Sequence, residues 1–115
     1  MQTSIVENAQ AQNAFKALAD PTRRNILLRL SVEDLTIAEL TQHFPMTRAA
    51  VKKHLLILEQ GQLISVRVNG REKINHLEAT GFKDAQAWMS YFDQFWDSKL
   101  MALNMAIANQ QIQND

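Results

Sequence analysis

Residues 36–61 read TIAELTQHFPMTRAAVKKHLLILEQG and contain the pattern that decides the fold. Thr36, followed three residues later by Glu39, forms a capping box, which marks the first turn of a helix. We expect this short helix to run as far as His43. Pro45 then breaks it, because proline cannot continue a helix, and places the segment HFPMT in a tight connection.

A second helix follows the connection. Thr47 caps its start, and Gly61 ends it, because glycine adopts the left-handed conformation of a helix end most easily. Its apolar residues Val51, Leu55 and Leu58 are spaced by four and three, so they share one face. The remaining surface carries small and basic residues, namely Thr47, Arg48, Ala49, Lys52, Lys53 and His54. Two short helices joined by a tight turn predict a helix-turn-helix motif.

Residues 63–77, LISVRVNGREKINHL, predict a β-hairpin. Apolar and polar side chains alternate over residues 64–68, as in a half-buried strand. Asn69-Gly70 is a strong hairpin signal, because a type I′ turn needs positive φ at both central positions. The return strand is expected to begin at Arg71. The basic residues around the turn are Arg67, Arg71 and Lys73. A helix-turn-helix followed at once by a basic-tipped hairpin is the order of a winged helix.

Helices are expected on both sides of this centre. Residues 7–19 are rich in good helix formers, and Asp20-Pro21 ends this helix and caps the next one. Residues 80–111 predict a long last helix. Its apolar residues Met89, Phe92, Trp96, Leu100, Leu103 and Ile107 are spaced close to a heptad seam. The predicted fold is mainly α with a small β-hairpin wing, in one domain over residues 1–115 with the helix-turn-helix at 36–60.

The apolar stripe of the last helix predicts contact with another chain. Trp88 and Phe95 widen it beyond what an isolated surface helix tolerates. The alternative is a core helix that packs within its own chain. A core in so short a chain is too small to cover eight large apolar side chains, and an exposed patch of that size would favour aggregation. The stripe therefore favours self-association.

The composition is that of one globular domain, with 46% apolar and 21% charged residues in 115. No run of about eighteen apolar residues is present, as a membrane span would need. Residues 1–13 are too polar for a signal peptide, so we expect a cytoplasmic protein that does not contact membranes. The absence of cysteine excludes disulfides, thiolate metal sites and cysteine nucleophiles.

A net charge of zero conceals an uneven distribution. Residues 36–76 hold six basic and three acidic side chains, whereas residues 77–115 hold two basic and five acidic ones. A basic centre joined to an acidic tail indicates that only the centre faces a polyanion.

The basic side of the helix that starts at Thr47 has two interpretations. It is either an ordinary solvated surface or the face of a helix that enters the major groove of DNA. The adjacent capping box, tight turn and basic hairpin agree with the second interpretation. We then expect Arg48 and Lys52 to read bases, and Thr47 and Lys53 to hold phosphate. His54 lies late on the helix, where it reaches a phosphate, and the basic residues of the hairpin contact phosphate or the minor groove.

A function of another class is a protein-interaction module, a winged helix that binds a partner protein and not DNA. Its exposed helix face should be apolar or acidic, whereas this one is small and cationic. An enzyme is not expected, because there is no nucleophile–base set, glycine-rich phosphate loop or paired-carboxylate site. His43, His54 and His76 share no metal-ligand spacing, so we expect no metal or other cofactor. Arg23 and Arg24 are expected to be solvated or paired with a carboxylate of another helix.

Three stretches resemble the ArsR family of winged-helix bacterial repressors: FKALADPTRRNILLRL, LTIAELTQHFPMTRAAVKKHLLILEQGQLI and VRVNGREKINHL. The tail WMSYFDQFWDSKL also resembles members whose last helix carries a W-x3-F-x3-W-x3-L pattern. The similarity covers about residues 14–103.

The resemblance implies a homodimer formed by the first and last helices, with two recognition helices on a palindromic operator of double-stranded DNA. It also implies repression that an effector relieves. The residues that it assigns to dimerisation are Phe15, Trp88, Met89, Phe92, Phe95, Trp96, Leu100 and Leu103.

Both familiar metal sites of that family are missing. Its metal sensors carry cysteines in an ELCVCDL-type stretch, where this chain reads DLTIAEL with Thr36 and Ala38. Other members bind zinc through aspartate and histidine on the last helix, which here has Asp93 and Asp97 but no histidine. We therefore expect relief of repression from a small organic ligand between the terminal helices, from a partner protein or from changes in concentration. The sequence does not choose among these three.

Overall fold

The computed structural model describes residues 9–114, and the backbone alone for residues 112–114. The elements in chain order are α1 (Ala9–Leu18), α2 (Pro21–Leu30), β1 (Leu35–Thr36), α3 (Ile37–Thr41), α4 (Arg48–Gln60), β2 (Ile64–Asn69), β3 (Glu72–Leu77), α5 (Ala79–Ser90) and α6 (Asp93–Asn114). The predicted class, mainly helical with a small β wing, is confirmed. Residues 7 and 8 of the expected first helix lie outside the described residues.

Asp20 separates α1 from α2, as the sequence predicts. Its backbone is extended (φ −99°, ψ 129°), and its Oδ2 accepts the N–H of Arg23 at 3.0 Å. Pro21 occupies the first turn of α2, where its missing N–H costs nothing. The hydrogen bond from the Arg23 backbone lowers the pKa of Asp20 below its ordinary value of 3.8, and the nearby positive charge of the Arg23 side chain acts in the same direction.

We expect Asp20→Ala to lower the free energy of unfolding by about 1 kcal/mol at pH 7, because an N-cap hydrogen bond is lost. A lowered pKa means that the carboxylate stabilises the fold above about pH 3.8, and that this stabilisation is lost as the pH falls through the native pKa. Asp20→Asn is the matched control, since asparagine caps a helix without titrating. Urea unfolding at pH 7 and pH 3 measures both effects. Equal pH dependence in the wild type and Asp20→Asn would contradict the assignment.

The capping box at the start of α3 is confirmed. Thr36 Oγ1 accepts the N–H of Glu39 at 3.1 Å, and Glu39 Oε1 accepts the N–H of Thr36 at 2.9 Å. The expected extension to His43 is wrong, because α3 ends at Thr41. The N–H groups of residues 42–44 each bond to the carbonyl three residues earlier, so the chain tightens into a turn before Pro45.

The end of α4 differs from the expectation at Gly61. Its φ is −79°, and the left-handed residue is Gln62, with φ 55°. Glycine is needed at position 61 for a different reason. A Cβ there would lie 2.9 Å from the carbonyl oxygen of Asn13, so a side chain would push α1 away from α4. The close approach of two backbones, and not the helix stop, explains this glycine.

The hairpin is confirmed, and a third strand joins it. The sheet is antiparallel in the order β1-β3-β2, with Leu35 opposite Asn75 and Ile64 opposite Leu77. The buried side chain of Asn75 donates from Nδ2 to the carbonyl of Leu35 at 3.1 Å, which holds the two-residue β1 against the hairpin. The sequence did not predict β1, because two residues carry no periodicity.

The tip of the hairpin also differs from the expectation. Asn69 pairs with Glu72 inside the ladder, so the two-residue loop is Gly70-Arg71 and the return strand begins at Glu72. Gly70 has φ 66°, and no positive φ occurs at Arg71. Positive φ at the first central position alone is the pattern of a type II′ turn, not of type I′.

The core lies between the helices and the sheet. Its largest fully buried side chains are Ile26, Leu40, Val51, Leu58, Leu63 and Ile64. The apolar face of α4 therefore points inward as its spacing predicts, and the rest of its surface faces solvent or α2. No polar side-chain atom buried within the described part of the chain lacks a hydrogen bond.

A single helix over residues 80–111 is wrong, because the chain bends at residues 91–92 and forms α5 and α6. Trp88 and Phe92 pack together with ring centroids 4.9 Å apart, and Trp88 contacts Phe15 of α1 at 5.5 Å. These contacts hold α5 on the body of the protein, while α6 continues away from it. Every side chain of residues 93–111 is exposed.

The overall dimensions reflect the departure of α6. The radius of gyration is 20.4 Å and the longest axis is 71 Å. A compact domain of about this length has a radius of gyration of roughly 13 Å. The chain therefore holds an apolar helix that its own core does not cover.

Candidate nucleic-acid interface

The outward side of α4 presents five of the six residues that the sequence assigned to it, all except His54. Arg48, Ala49, Lys52 and Lys53 are all exposed. Thr47 caps the helix through its Oγ1, which accepts the N–H of Ala50 at 3.1 Å. The cap leaves the hydroxyl proton of Thr47 available to an acceptor, because a hydroxyl can donate and accept at once.

A groove of about 580 Å³ lies between α4, the start of α3 and one face of the wing, by which we mean β2, β3 and their turn. We call it the wing groove. Arg48 and Lys52 line it from α4, and Arg71 and Lys73 line it from the wing. Four cations from two separate elements thus face one concave surface. Leu55 and Val66 are among the apolar residues of its wall, and the carboxylates of Glu59 and Glu72 also lie along it.

Ala49 and Lys53 lie outside the wing groove. They are four residues apart, so they form the adjacent stripe of α4, on the side turned further from the wing. Their exposure makes them available to any polyanion that lies along the helix.

Arg67 is not brought to the wing groove. Successive residues of a strand face opposite sides, and Val66 lines the groove, so Arg67 points to the other face. There its Nη2 donates to Asp34 Oδ2 at 3.1 Å, and His76 Nδ1 lies 2.8 Å from Asp34 Oδ1. The sequence missed Asp34, because nothing in the local pattern pairs it with a strand more than thirty residues away.

His54 is also placed differently from its neighbours. It is half-buried, and its Nδ1 lies 3.2 Å from Nη1 of Arg23 on α2. Arg23 further donates from Nε to the carbonyl of Ala17 at 2.8 Å and from Nη2 to that of Lys16 at 3.0 Å. The side chain of Arg23 therefore joins the end of α1 to the flank of α4.

The expected partners of the α2 arginines need correction. Arg24 Nη1 donates to the carbonyl of Leu18 at 2.7 Å. Neither Arg23 nor Arg24 is paired with a carboxylate side chain within the described residues; both bind carbonyl oxygens at the end of α1. A signal for this contact exists, because the last carbonyls of a helix lack partners in the helix and attract basic side chains that follow.

The residues assigned to dimerisation fall into two groups. Phe15, Trp88 and Phe92 pack on one another within the chain. The second group is Met89, Phe95, Trp96, Leu100 and Leu103, whose exposed fractions range from 46% to 58%. The structure thus accounts for the first group within the chain and leaves the second uncovered.

None of the helices in the described residues is long and apolar enough to cross a membrane. No three histidine, aspartate or glutamate side chains among residues 9–114 are grouped so that they could hold a metal ion.

Comparison with known proteins agrees with this architecture. Residues 20–66 match the family described as bacterial regulatory protein, arsR family. The chain is 36% identical over 88 residues to the transcriptional repressor SdpR of Bacillus subtilis, covering 76% of this chain and 98% of the relative. It is 37% identical over 87 residues to the HTH-type transcriptional regulator Rv2034 of Mycobacterium tuberculosis, covering 76% and 78%.

Solved structures give the same assignment. A crystal structure of an ArsR family transcriptional regulator superposes with a TM-score of 0.73 at 35% identity, covering 80% of this chain and 95% of that one. An ArsR-like regulator from Rhodococcus sp. RHA1 superposes with a TM-score of 0.69 at 28% identity, covering 85% and 92%. This chain is a member of the arsR family of bacterial regulatory proteins, a class of DNA-binding transcription regulators and not of enzymes.

Proposed function

We propose that the protein is a homodimeric repressor that places two α4 helices in successive major grooves of a palindromic operator. The observation that carries the DNA contact is the wing groove, where Arg48 and Lys52 of α4 meet Arg71 and Lys73 of the wing. Cations on a helix and on a hairpin at one surface suit base edges and flanking phosphates at the same time. Repression is supported by the relative SdpR, which is named a transcriptional repressor.

The dimer is supported by α6. Its side chains are exposed over residues 93–111, and Trp96, Leu100 and Leu103 recur on one side of it. A second copy of the chain is a self-complementary partner for such a stripe. Two recognition helices related by a two-fold axis require half-sites about 10–10.5 bp apart, centre to centre. Because bacterial DNA lies in the cytoplasm, the proposal also assigns the protein to that compartment.

The contacts of α4 are expected to divide by role. Arg48 and Lys52, in the wing groove, read bases, whereas Lys53, on the outer stripe, holds phosphate. Arg71 and Lys73 orient the wing on the DNA backbone. Arg67, which is bound to Asp34, contacts DNA only after it leaves that carboxylate, so we expect it to contribute less than Arg71. Relief of repression comes from one of the three sources left open by the sequence, and none of them is a metal ion.

We expect Lys53→Ala to weaken binding to operator and random DNA alike, because one phosphate contact is lost. The slope of log binding constant against log salt concentration should fall in magnitude by about 0.9.

Arg48→Ala should weaken operator binding by about 1–3 kcal/mol and relax the base preference at one position in each half-site. Fluorescence anisotropy with the operator, single-base variants and random DNA measures both.

Lys83→Ala is the control, since Lys83 is an exposed lysine of α5 outside the wing groove. Equal weakening of all DNA sequences by Arg48→Ala would contradict its assignment to base reading. If the wild type binds no DNA but retains a partner protein, the protein-interaction alternative replaces the proposal.

A further inference from the structure

Arg23 makes contacts that ordinary solvation of a surface arginine does not explain. Its guanidinium reaches the carbonyls of Lys16 and Ala17 at 3.0 and 2.8 Å, and the ring of His54 at 3.2 Å. Its backbone N–H is held by the carboxylate of Asp20 at 3.0 Å. Both ends of this one residue are therefore fixed, and they tie α1, α2 and α4 together.

The chemistry of this contact determines which ring nitrogen of His54 carries the proton. A guanidinium has five N–H donors, no acceptor, and stays protonated. The Nδ1 atom of His54, at 3.2 Å from Nη1, must then accept. An imidazole that accepts at Nδ1 is neutral and carries its proton on Nε2. No other hydrogen bond to the His54 ring occurs among residues 9–114, so the Nε2–H group is left without a protein acceptor.

The position of His54 on α4 places this free donor on the side of the helix away from the wing groove. Arg48 and Lys52 lie on the flank of α4 that lines the wing groove. His54, like the half-buried Ala50 and Ile57, lies on the flank turned toward α2. A helix in the major groove has a phosphate backbone along each side. The wing supplies cations on one side, and His54 supplies a hydrogen-bond donor on the other.

We propose that Arg23 is a positioning residue for DNA binding: it fixes the flank of α4 and holds His54 as the Nε2–H tautomer, which donates to a phosphate of the operator. This inference rests on the proposed function, because the acceptor is DNA. His54 makes the contact, and Arg23 acts through it.

The first test needs no DNA, and its deciding measurement is made on the wild-type protein. Nitrogen-15 NMR of the free wild-type protein at pH 8, where imidazole is ordinarily neutral, reports which ring nitrogen carries the proton. We expect His54 to be protonated on Nε2 alone. Arg23→Met, which removes the guanidinium donors and keeps an unbranched apolar stem, should add a detectable Nδ1–H form. A wild-type ring protonated on Nδ1 would overturn the proposal.

The second test is a double-mutant cycle on operator affinity. We expect His54→Ala and Arg23→Met each to weaken binding about tenfold, as for the loss of a hydrogen bond to a charged group. The two together should also weaken it about tenfold, because both remove the same contact. Losses that multiply to about a hundredfold, or no loss from His54→Ala, would overturn the proposal.

Arg24→Met is the matched control. Arg24 lies in the same turn, carries the same charge and also binds a carbonyl at the end of α1, but it does not touch His54. Its effect should be small and should multiply with that of His54→Ala. Arg23→Lys keeps the positive charge but loses the guanidinium geometry. We expect it to weaken operator binding as much as Arg23→Met does. Operator affinity equal to that of the wild type would overturn the positioning role. If the wild type does not bind DNA, the proposed function fails. The NMR measurement of the His54 tautomer still shows, without DNA, whether Arg23 holds the ring as inferred.

Discussion

Replacing Leu100 and Leu103 together by glutamate will convert the protein to a monomer and weaken operator binding by about a hundredfold or more. Both side chains are more than half exposed on α6 in one protomer. Glutamate is a good helix former, so the substitution places charges in the stripe without breaking the helix. A monomer can bind only one half-site. In a dimer, binding of the first recognition helix holds the second at a high effective concentration near its half-site, and the loss of this effect accounts for the expected loss of operator affinity.

The same helix offers a control for this experiment. Met101 and Met105 are also exposed, but at 100° per residue they lie across the helix from Leu100 and Leu103. Met101→Glu with Met105→Glu should leave a dimer that binds the operator. Sedimentation equilibrium and anisotropy measure the two properties separately. A dimer that persists in Leu100→Glu/Leu103→Glu at micromolar concentration would show that α6 does not form the dimer interface.

Gly81→Ala is expected to lower the free energy of unfolding by about 3 kcal/mol or more, because overpacking against a rigid backbone has no cheap relief. A Cβ on Gly81 would clash with the carbonyl oxygen of Gly61 and would lie 2.8 Å from that of Gln62. The N–H of Gly81 donates to the same Gln62 oxygen at 2.7 Å. The methyl group can be accommodated only if α5 moves away from the end of α4.

Gly70→Ala provides the comparison for this prediction. Position 70 has open space around a Cβ but a φ of 66°, so the cost is backbone strain alone. We expect about 1 kcal/mol from such a residue. Urea unfolding of both variants gives the two free energies. If Gly81→Ala lowers the free energy of unfolding no more than Gly70→Ala does, α5 moves away from the end of α4 at little cost.

Local signals predicted the helix N-caps correctly. The caps at Asp20, Thr36 and Thr47 need only their own side chain and a backbone N–H three residues on, so the sequence contains all of the information.

Local signals were less exact at the ends of elements. The helix α3 stops at Thr41 and not at His43, the left-handed residue after α4 is Gln62 and not Gly61, and the turn at Gly70 is of type II′.

Contacts between distant residues were not predictable in this way. The bend at residues 91–92 contains no glycine or proline, and it accompanies the packing of Trp88 on Phe15, more than seventy residues earlier in the chain. The turning of Arg67 toward Asp34 and of His54 toward Arg23 has the same origin. A periodicity assigns a side chain to a face, but only the tertiary fold determines which partner occupies that face.

In the proposed dimer, the uncovered α6 links the amount of protein to its effect on a gene. When a helix is buried only in the dimer, the dimer concentration at low expression varies with the square of the protomer concentration. Halving the number of chains then leaves about a quarter of the dimers, so operator occupancy falls more steeply than expression does. Chains that have not yet found a partner expose Trp96 and its neighbours, and such apolar surface exposes them to proteolysis and aggregation. Under the proposed function, a cell can therefore use the abundance of the protein alone to set a threshold for repression.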